Sequence, residues 1–223
     1  MTQNDYIKNP TTITEQSFAT IRRELAEMGI HLQSPRAEII ERMIHSTADF
    51  DFATITHFSE TAVSSAIAAL QKGCPIVCDV NMIRVGVSQT RISQLGGSLH
   101  CFVADDAVRA KAAEIGNTRS AAGIHLAHER GLIEGGVIVI GNAPTALYAL
   151  IELIEAGVKP ALVVGVPVGF ISAVESKADL LARVHDVPLI TTNGRKGGSP
   201  IAVAIANALL RLACEATQTE AEP

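Results

Sequence analysis

Four short apolar segments, separated by stretches with helical spacing, restrict the possible fold of this chain more than any other feature. The segments are Pro75 to Val80, Val137 to Ile140, Ala161 to Val166 and Leu189 to Thr192. Such short, β-branched runs, bounded by Gly, Pro, Asn or Asp, are typical of strands buried on both faces. Because helical patterns lie between them, the sequence predicts an α/β fold: a doubly wound, mostly parallel sheet with helices on both faces, in three α/β/α layers.

Weaker patterns complete this prediction. Two further strands are expected at Thr54 to Phe58 and Leu99 to Val103, and Asn81 to Thr90 is expected to be helix or loop. One helix is expected to have Ser34 as its N-cap and Pro35 as its first helical residue, and to continue through Ile44. The other helices are expected at Thr14 to Met28, Glu60 to Lys72, Asp105 to Ile115, from Asn117 or Thr118 onward, and at Pro144 to Ala156, Glu175 to Val184 and Ser199 to Cys214.

Without a linker, repeat or low-complexity tract, the chain is expected to form one domain over residues 1–223. An N-terminal arm of about residues 1–13, tethered by Tyr6, and a frayed tail of about residues 215–223 are expected to flank it.

Composition excludes several classes of partner. The formal net charge of −5 argues against nucleic acid or an anionic membrane as the main partner. No apolar run is expected to span a bilayer, and the N-terminus has no apolar signal core. Four cysteines in 223 residues are ordinary usage, so all four are expected to be reduced thiols in a cytoplasmic protein.

His45 is the first candidate for proton transfer. It lies near the end of a helical pattern whose Ile39, Ile40, Met43 and Ile44 form an apolar face, so it can border the core and still reach a cavity. A histidine exchanges a proton near neutral pH. The residues alone leave a second interpretation open, in which His45 only satisfies the last carbonyls of its helix.

The loop from Asn193 to Ser199 is the strongest local signal of a binding site. Its glycines let the backbone approach a ligand, Arg195 and Lys196 supply positive charge, and a helix is predicted to begin at Ser199. An acidic ligand is therefore expected there, although a solvated turn is the alternative. Further cations and helix-start groups are expected to add to this surface: Arg84, Arg91, Thr118, Arg119, Ser120, Asn142, Thr145 and Lys177.

Motifs for metals and nucleotides are weak or absent. His125 and His128 have no evident third ligand, and Cys74 and Cys78 are too far apart on one strand to share a metal ion. The chain has neither the phosphate-binding loop spacing nor a Gly-x-Gly-x-x-Gly after a strand. No metal or other cofactor is expected.

Several blocks taken together resemble one known family, the precorrin-8X methylmutases of corrin biosynthesis. The blocks are Ser17-Phe18-x-x-Ile21-Arg22, Arg42-Met43-Ile44-His45 with Asp49, Asp79-x-x-Met82 with Gly86, Thr118-Arg119-Ser120, Gly141 to Leu147, Gly165-x-Pro167-Val168-Gly169-Phe170 with Glu175-Ser176-Lys177, and Gly194 to Ser199. The resemblance extends from about Tyr6 to Leu212.

The resemblance implies an isomerase that moves a methyl group from C-11 to C-12 of a corrin precursor, by a [1,5]-sigmatropic shift. The substrate would be precorrin-8X, giving hydrogenobyrinic acid, or cobalt-precorrin-8, giving cobyrinic acid, without a redox cofactor. The family's catalytic histidine corresponds to His45, as proton donor and acceptor. The resemblance also implies a homo-oligomer whose subunits share sites, with the N-terminal arm as a candidate to cross the interface.

A flat, apolar ring fringed by carboxylates requires an apolar slot with scattered donors. The residues expected at this substrate are Ser17, Arg22, Arg42, Met82, Arg84, Thr90, Arg119, Ser120, Asn142, Lys177, Arg195, Lys196 and Ser199. Two alternatives remain open at this point: a non-catalytic carrier of corrin intermediates, and a phosphate- or nucleotide-handling α/β enzyme that uses the loop at Arg195.

Overall fold

The computed structural model of the protein describes residues 7–221 and the side chains of residues 7–218. Its six strands are β1 (Thr56–Phe58), β2 (Pro75–Cys78), β3 (Ser98–His100), β4 (Val137–Ile140), β5 (Leu162–Gly165) and β6 (Leu189–Thr192). All six lie in one sheet, in the order β1-β6-β5-β4-β2-β3. Five strands are parallel, and β1 pairs antiparallel with β6 at one edge. The predicted, mostly parallel α/β sheet is therefore confirmed.

The described helices are α1 (Pro10–Glu27), α2 (Arg36–Thr47), α3 (Phe52–Ile55), α4 (Ala62–Gln71), α5 (Asn81–Gly86), α6 (Gln89–Gln94), α7 (Asp106–Glu114), α8 (Arg119–Glu129), α9 (Pro144–Glu155), α10 (Ala173–Arg183) and α11 (Ser199–Ala221). They form two layers, because alternate residues of each strand point to opposite faces of the sheet.

The strand β4 illustrates this alternation. Val137 and Val139 pack in one core with residues of α1, α2, α4 and α11, whereas Ile138 and Ile140 pack in a second core with residues of α8, α9 and α10. Buried on both faces, the central strands consist almost entirely of Val, Ile and Leu, which explains why the sequence reveals them so clearly.

The sheet has its topological switch point between β2 and β4. From β2 the chain continues outward to β3 on one side, and it then crosses back to β4 and proceeds through β5 to β6 on the other. In such sheets ligands bind beyond the carboxyl ends of the strands, at the switch point. The segments that follow β2 and β4, which begin at Asp79 and Gly141, therefore border the expected position for a ligand.

The start of the described chain differs from the prediction. Helix α1 begins at Pro10 rather than Thr14, because the Asn9 side chain accepts hydrogen bonds from the first-turn N–H groups. Part of the predicted arm is therefore helical, and Tyr6 lies outside the described residues. Ser34 is not an N-cap: its hydroxyl donates 2.7 Å to Glu38, and α2 begins at Arg36.

The bounds of short elements were predicted less accurately from the sequence than those of long ones. The predicted strand from Thr54 to Phe58 is split between α3 and β1, and β3 begins at Ser98 and ends at His100, not at Val103. The predicted frayed tail is helical as far as Ala221, the last described residue.

Helix α11 corrects the expectation that no segment could span a membrane. Residues Ser199–Gln218 are long and apolar enough to do so by length and composition. However, Ile201, Ile205 and Leu209 of this helix are buried in the core shared with α2 and α4, so its apolar face is accounted for by packing within the domain.

Candidate active site

His45 lies in the last turn of α2, where that helix packs against α1. Its ring stacks on Phe18, with centroids 5.0 Å apart and planes 19° apart, and its Nδ1 lies 2.8 Å from the hydroxyl oxygen of Ser17. Helix α2 ends just beyond, because Ala48 adopts a left-handed conformation while its N–H still bonds to Ile44. The ring is thus held on a rigid helix by a hydrogen bond and a stacked face.

A cavity of about 540 Å³ opens beside His45. Its walls include Ile7, Ile13, Ser17, Ile44 and Phe50, so the surroundings of the histidine are mainly apolar. His45 itself is exposed, and Ile7 and Ile13 are each 46% exposed. In this arrangement Nδ1 is engaged with Ser17, and Nε2 is the ring nitrogen that remains for a ligand.

Arg42 lies one helical turn before His45 and contacts the same aromatic ring. Its guanidinium carbon is 4.7 Å from the centroid of Phe18, a cation–π distance. Phe18 and Arg42 also line a second cavity, of about 600 Å³, together with Arg22 and Arg211. Phe18 therefore connects the histidine to a basic cavity, yet sequence reasoning did not select it as a site residue.

Three arginines and two glutamates, Glu38 and Glu41, line the second cavity. Burial, and then the nearby charges of Arg211 and Arg91, lower the pKa of Arg42 from its usual range. Arg211 pairs with Glu38 and Glu215, but its buried Nε has no hydrogen-bond partner among the described residues. An anionic group would be favoured in this cavity, because it would relieve the repulsion among the arginines.

Arg22 is oriented differently from its predicted role. Its Nε and Nη2 donate to both oxygens of the buried Glu41, at 2.9 and 2.8 Å, in a bidentate pair. The hydrogen bonds that Arg22 donates to Glu41 are the main cause of its raised pKa. These donors of Arg22 thus hold α1 on α2, and the contact of Arg22 with substrate stays a prediction.

The loop after β6 is not the free cationic loop that the sequence predicts. The Lys196 amine lies 2.6 Å from Asp49 and 2.6 Å from Asp51, so two carboxylates already compensate its charge. These pairs tie the loop to the turn that follows α2, close in sequence to His45. The Lys196 charge is thus compensated within the chain, and its contact with substrate stays a prediction.

The amine of Lys177 also has its hydrogen-bond partners within the chain. Lys177 is only 2% exposed, and its amine donates to the Thr192 hydroxyl and to the Lys196 carbonyl, at 3.2 and 2.8 Å. Burial lowers its pKa to about 8. In this structure Lys177 holds the loop that carries Lys196, and its contact with substrate stays a prediction.

The other residues of this loop differ in exposure. Arg195 is exposed, with its guanidinium 5.3 Å from the ring centroid of Phe170, which is itself 83% exposed. Ser199 begins α11 and is buried. Unlike Lys196, the other predicted basic residue of the loop, Arg195 has no carboxylate among its described contacts.

Asp79 organises the switch point between β2 and β4. Its buried carboxylate accepts backbone hydrogen bonds from Gly141, Asn142 and Ala143, at 3.1, 2.9 and 2.7 Å. Burial raises the pKa of Asp79, and these three bonds oppose that effect. A side chain at Gly141 would meet Ala202 of α11 at 2.7 Å, so glycine is required for this close approach.

Predicted site residues surround this switch point. Asn142 is exposed beside Asp79, and the hydroxyls of Thr118 and Thr145 lie 2.7 Å apart, which joins the starts of α8 and α9. Arg119 is exposed and Ser120 half-buried in the first turn of α8. Met82 and Arg84 on α5 and Thr90 on α6 are also exposed.

Residues predicted for the site, together with Phe18 and Asp79, thus form two groups. The first is the His45 group: Ser17, Phe18, Arg42 and His45. The second is the switch-point group: Asp79, Arg119, Asn142 and Thr145. No hydrogen bond or ion pair directly joins the two groups among the described residues. Within that part of the chain, no three His, Cys, Asp or Glu side chains are placed to hold a metal ion.

Comparisons with known proteins agree on one family. A family model described as precorrin-8X methylmutase matches residues 12–212. A cobalt-precorrin-8 methylmutase of Leptospira interrogans is 49% identical over 90% of this chain and 92% of that protein. A precorrin-8X methylmutase of a Sinorhizobium species is 42% identical over 95% of this chain and 99% of that protein. The crystal structure of a precorrin-8x methyl mutase from Thermus thermophilus matches with a TM-score of 0.83 and 40% identity, over 92% and 98% of the two chains.

Proposed function

The chain belongs to the precorrin-8X methylmutase family, and we propose that it moves a methyl group from C-11 to C-12 of a corrin precursor, with His45 as the acid and base. It is an isomerase of cobalamin biosynthesis. The observation that carries our proposal for His45 is its geometry: one ring nitrogen is held by Ser17, and the other is left for a ligand in a mainly apolar cavity.

Protonation of the conjugated ring would delocalise positive charge and ease migration of the methyl group. The hydroxyl of Ser17 can accept from a protonated Nδ1 or donate to an unprotonated one. In a proton transfer at Nε2 the imidazolium becomes the neutral ring that keeps its proton on Nδ1, so the Ser17 hydroxyl accepts from Nδ1–H before and after the transfer and holds the ring in place. A positioned acid of this kind contributes roughly 10²–10⁴-fold to the rate.

The carboxylates of the substrate require cationic partners whose charge is not compensated within the chain. Arg42 meets this condition best, because its guanidinium faces the ring of Phe18 and the charges of Arg211 and Arg91 act on it more strongly than those of Glu215 and Glu41. We propose Arg42, Arg84, Arg119 and Arg195 as the carboxylate partners. Further contacts of the ring would come from Met82, Thr90, Ser120, Asn142 and Ser199.

The substrate is tested by mixing the purified protein anaerobically with precorrin-8X or with cobalt-precorrin-8 and following the visible spectrum. Conversion to the spectrum of hydrogenobyrinic acid or of cobyrinic acid identifies the form used. The relatives carry both names, so both forms are candidates. A carrier would instead bind the coloured ligand without conversion, and binding would be the same in His45→Ala. A nucleotide enzyme would bind neither corrin and would be stabilised by a nucleotide with magnesium.

We further propose a homo-oligomer in which one subunit brings its switch-point group to the His45 group of another. Two observations support this arrangement: His45 is exposed, and among the side chains of residues 7–218 no hydrogen bond or ion pair directly joins the two groups. Exclusion of water from the reacting ring would then require the second subunit. Ile7 and Ile13, near the start of the described chain, line the cavity of His45, so this part of the chain is a candidate for the interface.

Shared sites are tested by mixing two inactive variants, His45→Ala and Arg119→Ala, by co-expression. In randomly mixed dimers with shared sites, about 25% of the wild-type activity returns, because each mixed dimer holds one intact site. No recovery, or a fully active monomer at low concentration, would contradict the proposal.

We also infer that the protein is soluble, works in the cytoplasm and has neither nucleic acid nor a membrane as partner.

A further inference from the structure

Two cysteines lie side by side at the carboxyl ends of β2 and β3. In the parallel register of these strands Val77 is opposite His100, and the next residue of each chain segment is Cys78 and Cys101. Both cysteines contact the same core, so their side chains point to the same face of the sheet. Neighbouring strands are about 4.8 Å apart, and disulfides join Cα atoms roughly 4.4–6.8 Å apart. A disulfide between the two therefore requires little movement of the backbone.

The two thiols are in contact with each other and differ in reactivity. Cys78 is 3% exposed, and its sulfur lies 3.5 Å from the carbonyl oxygen of His100, the residue before Cys101. A hydrogen bond between the two sulfurs lowers the pKa of Cys101 and raises that of Cys78. Cys101 is half-buried, so a small oxidant can reach it, whereas Cys78 is enclosed behind it.

The remaining cysteines are less reactive by the same criteria. Burial raises the pKa of Cys74 to about 11. Burial likewise raises the pKa of Cys214, whose sulfur lies 3.8 Å from a side-chain oxygen of Gln94. Since the thiolate is the nucleophile, Cys101 is the preferred target of an oxidant.

We propose that Cys78 and Cys101 are a redox modification site that closes reversibly to an intrachain disulfide when the protein meets hydrogen peroxide. The Cys101 thiolate attacks the peroxide and becomes a sulfenic acid, with release of hydroxide. The Cys78 sulfur then attacks the sulfenic sulfur, and its proton leaves with the hydroxyl as water. In sum, two thiols and one peroxide give one disulfide and two waters. A dithiol reductant reverses the bond by thiol exchange.

The disulfide would close a loop over residues 78–101 that contains both α5 and α6. This loop carries Asp79, Met82, Arg84 and Thr90, and hence part of the surface next to the switch point. Oxidation would restrict this segment relative to the rest of the sheet. The inference rests on the geometry of the two strands and does not depend on the proposed reaction.

The test uses the full-length Cys74→Ser variant, because trypsin leaves Cys74 and Cys78 in one peptide, residues 73–84. The reduced protein is treated with a slight excess of peroxide, alkylated, digested and analysed by mass spectrometry. We expect peptide 73–84 linked to peptide 92–109, a loss of two hydrogens per chain, and recovery of both thiols with dithiothreitol.

Two variants complete the test. Cys214→Ser should form the same link, whereas Cys78→Ser should leave Cys101 as a sulfenic acid that a dimedone probe labels. In the untreated protein, iodoacetamide should label Cys101 at least about tenfold faster than Cys74. The proposal is overturned if peroxide leaves Cys78 and Cys101 as free thiols while other cysteines are oxidised, or if the link joins two different chains.

Discussion

The buried amine of Lys177 makes the stability of the protein depend on pH in a predictable direction. Replacement of Lys177 by Met removes the charge and keeps a long, flexible side chain in the space. The carbonyl of Lys196 keeps a partner in this variant, because the Thr192 hydroxyl also donates to it, at 2.8 Å. The comparison of Lys177→Met with the wild type therefore isolates the effect of the buried ammonium group.

The magnitude follows from the shift in pKa. Burial lowers the pKa of Lys177 from 10.5 to about 8, which corresponds to about 3 kcal/mol at roughly 1.4 kcal/mol per unit. Below pH 8 the amine is charged in both states, and the folded state bears the full cost. Between about pH 8 and pH 10.5 the unfolded state binds more protons, so the free energy of unfolding of the wild type rises relative to the variant.

The assay is urea unfolding followed by circular dichroism, from pH 7 to pH 10.5, at one fixed protein concentration. The free energy of unfolding of the wild type, relative to that of Lys177→Met, should increase by about 3 kcal/mol over this range. Lys72→Met, at an exposed position, is the matched control and should show no such trend. A difference that stays constant with pH would refute the reasoning.

Three further variants test contacts of the site. Asp79→Ala should lower the free energy of unfolding by about 3 kcal/mol or more, because three backbone N–H groups lose their acceptor in a buried place; urea unfolding within about 0.5 kcal/mol of wild type would contradict this. Arg22→Ala should lower the free energy of unfolding by about 1–2 kcal/mol, and Arg22→Lys should restore only part of this loss, because lysine cannot reproduce the bidentate pair with Glu41. Full recovery of stability by lysine in the same unfolding assay would refute that reason. Ser17→Ala should reduce kcat/KM about tenfold, by one lost hydrogen bond to the histidine, with thermal stability unchanged; unaltered kcat/KM would remove Ser17 from the mechanism.

The sheet could be predicted from the sequence because burial on both faces leaves an unmistakable composition. Val137 to Ile140 contains only Val and Ile, and its prediction agrees with β4 at both ends. The edge strand β1 has three residues and mixed burial, so the sequence around Thr54 could not separate it from the short helix α3. Likewise, the start of α1 depends on the side chain of Asn9, which a search for apolar spacing does not detect.

The intrachain partners of the predicted site residues could not be predicted from the sequence. The sequence shows that Arg22, Lys177 and Lys196 are cationic, but it does not show what compensates them. Glu41 is 19 residues from Arg22, and Asp49 is 147 residues from Lys196, so only the tertiary fold reveals these pairs. The adjacency of Phe18 and Ser17 to His45 could have been suspected from the resemblance, whereas the contribution of Arg211 to the basic cavity required the packing of α11 on α2.

The most direct test of our account is the single-turnover rate of methyl migration in His45→Ala, at saturating corrin substrate under anaerobic conditions. His185→Ala, which removes an exposed histidine elsewhere, is the matched control. We predict that His45→Ala still binds the substrate but converts it at least about 100-fold more slowly, whereas His185→Ala converts it at the wild-type rate. Conversion by His45→Ala at the wild-type rate would contradict the assignment of His45 as the acid and base.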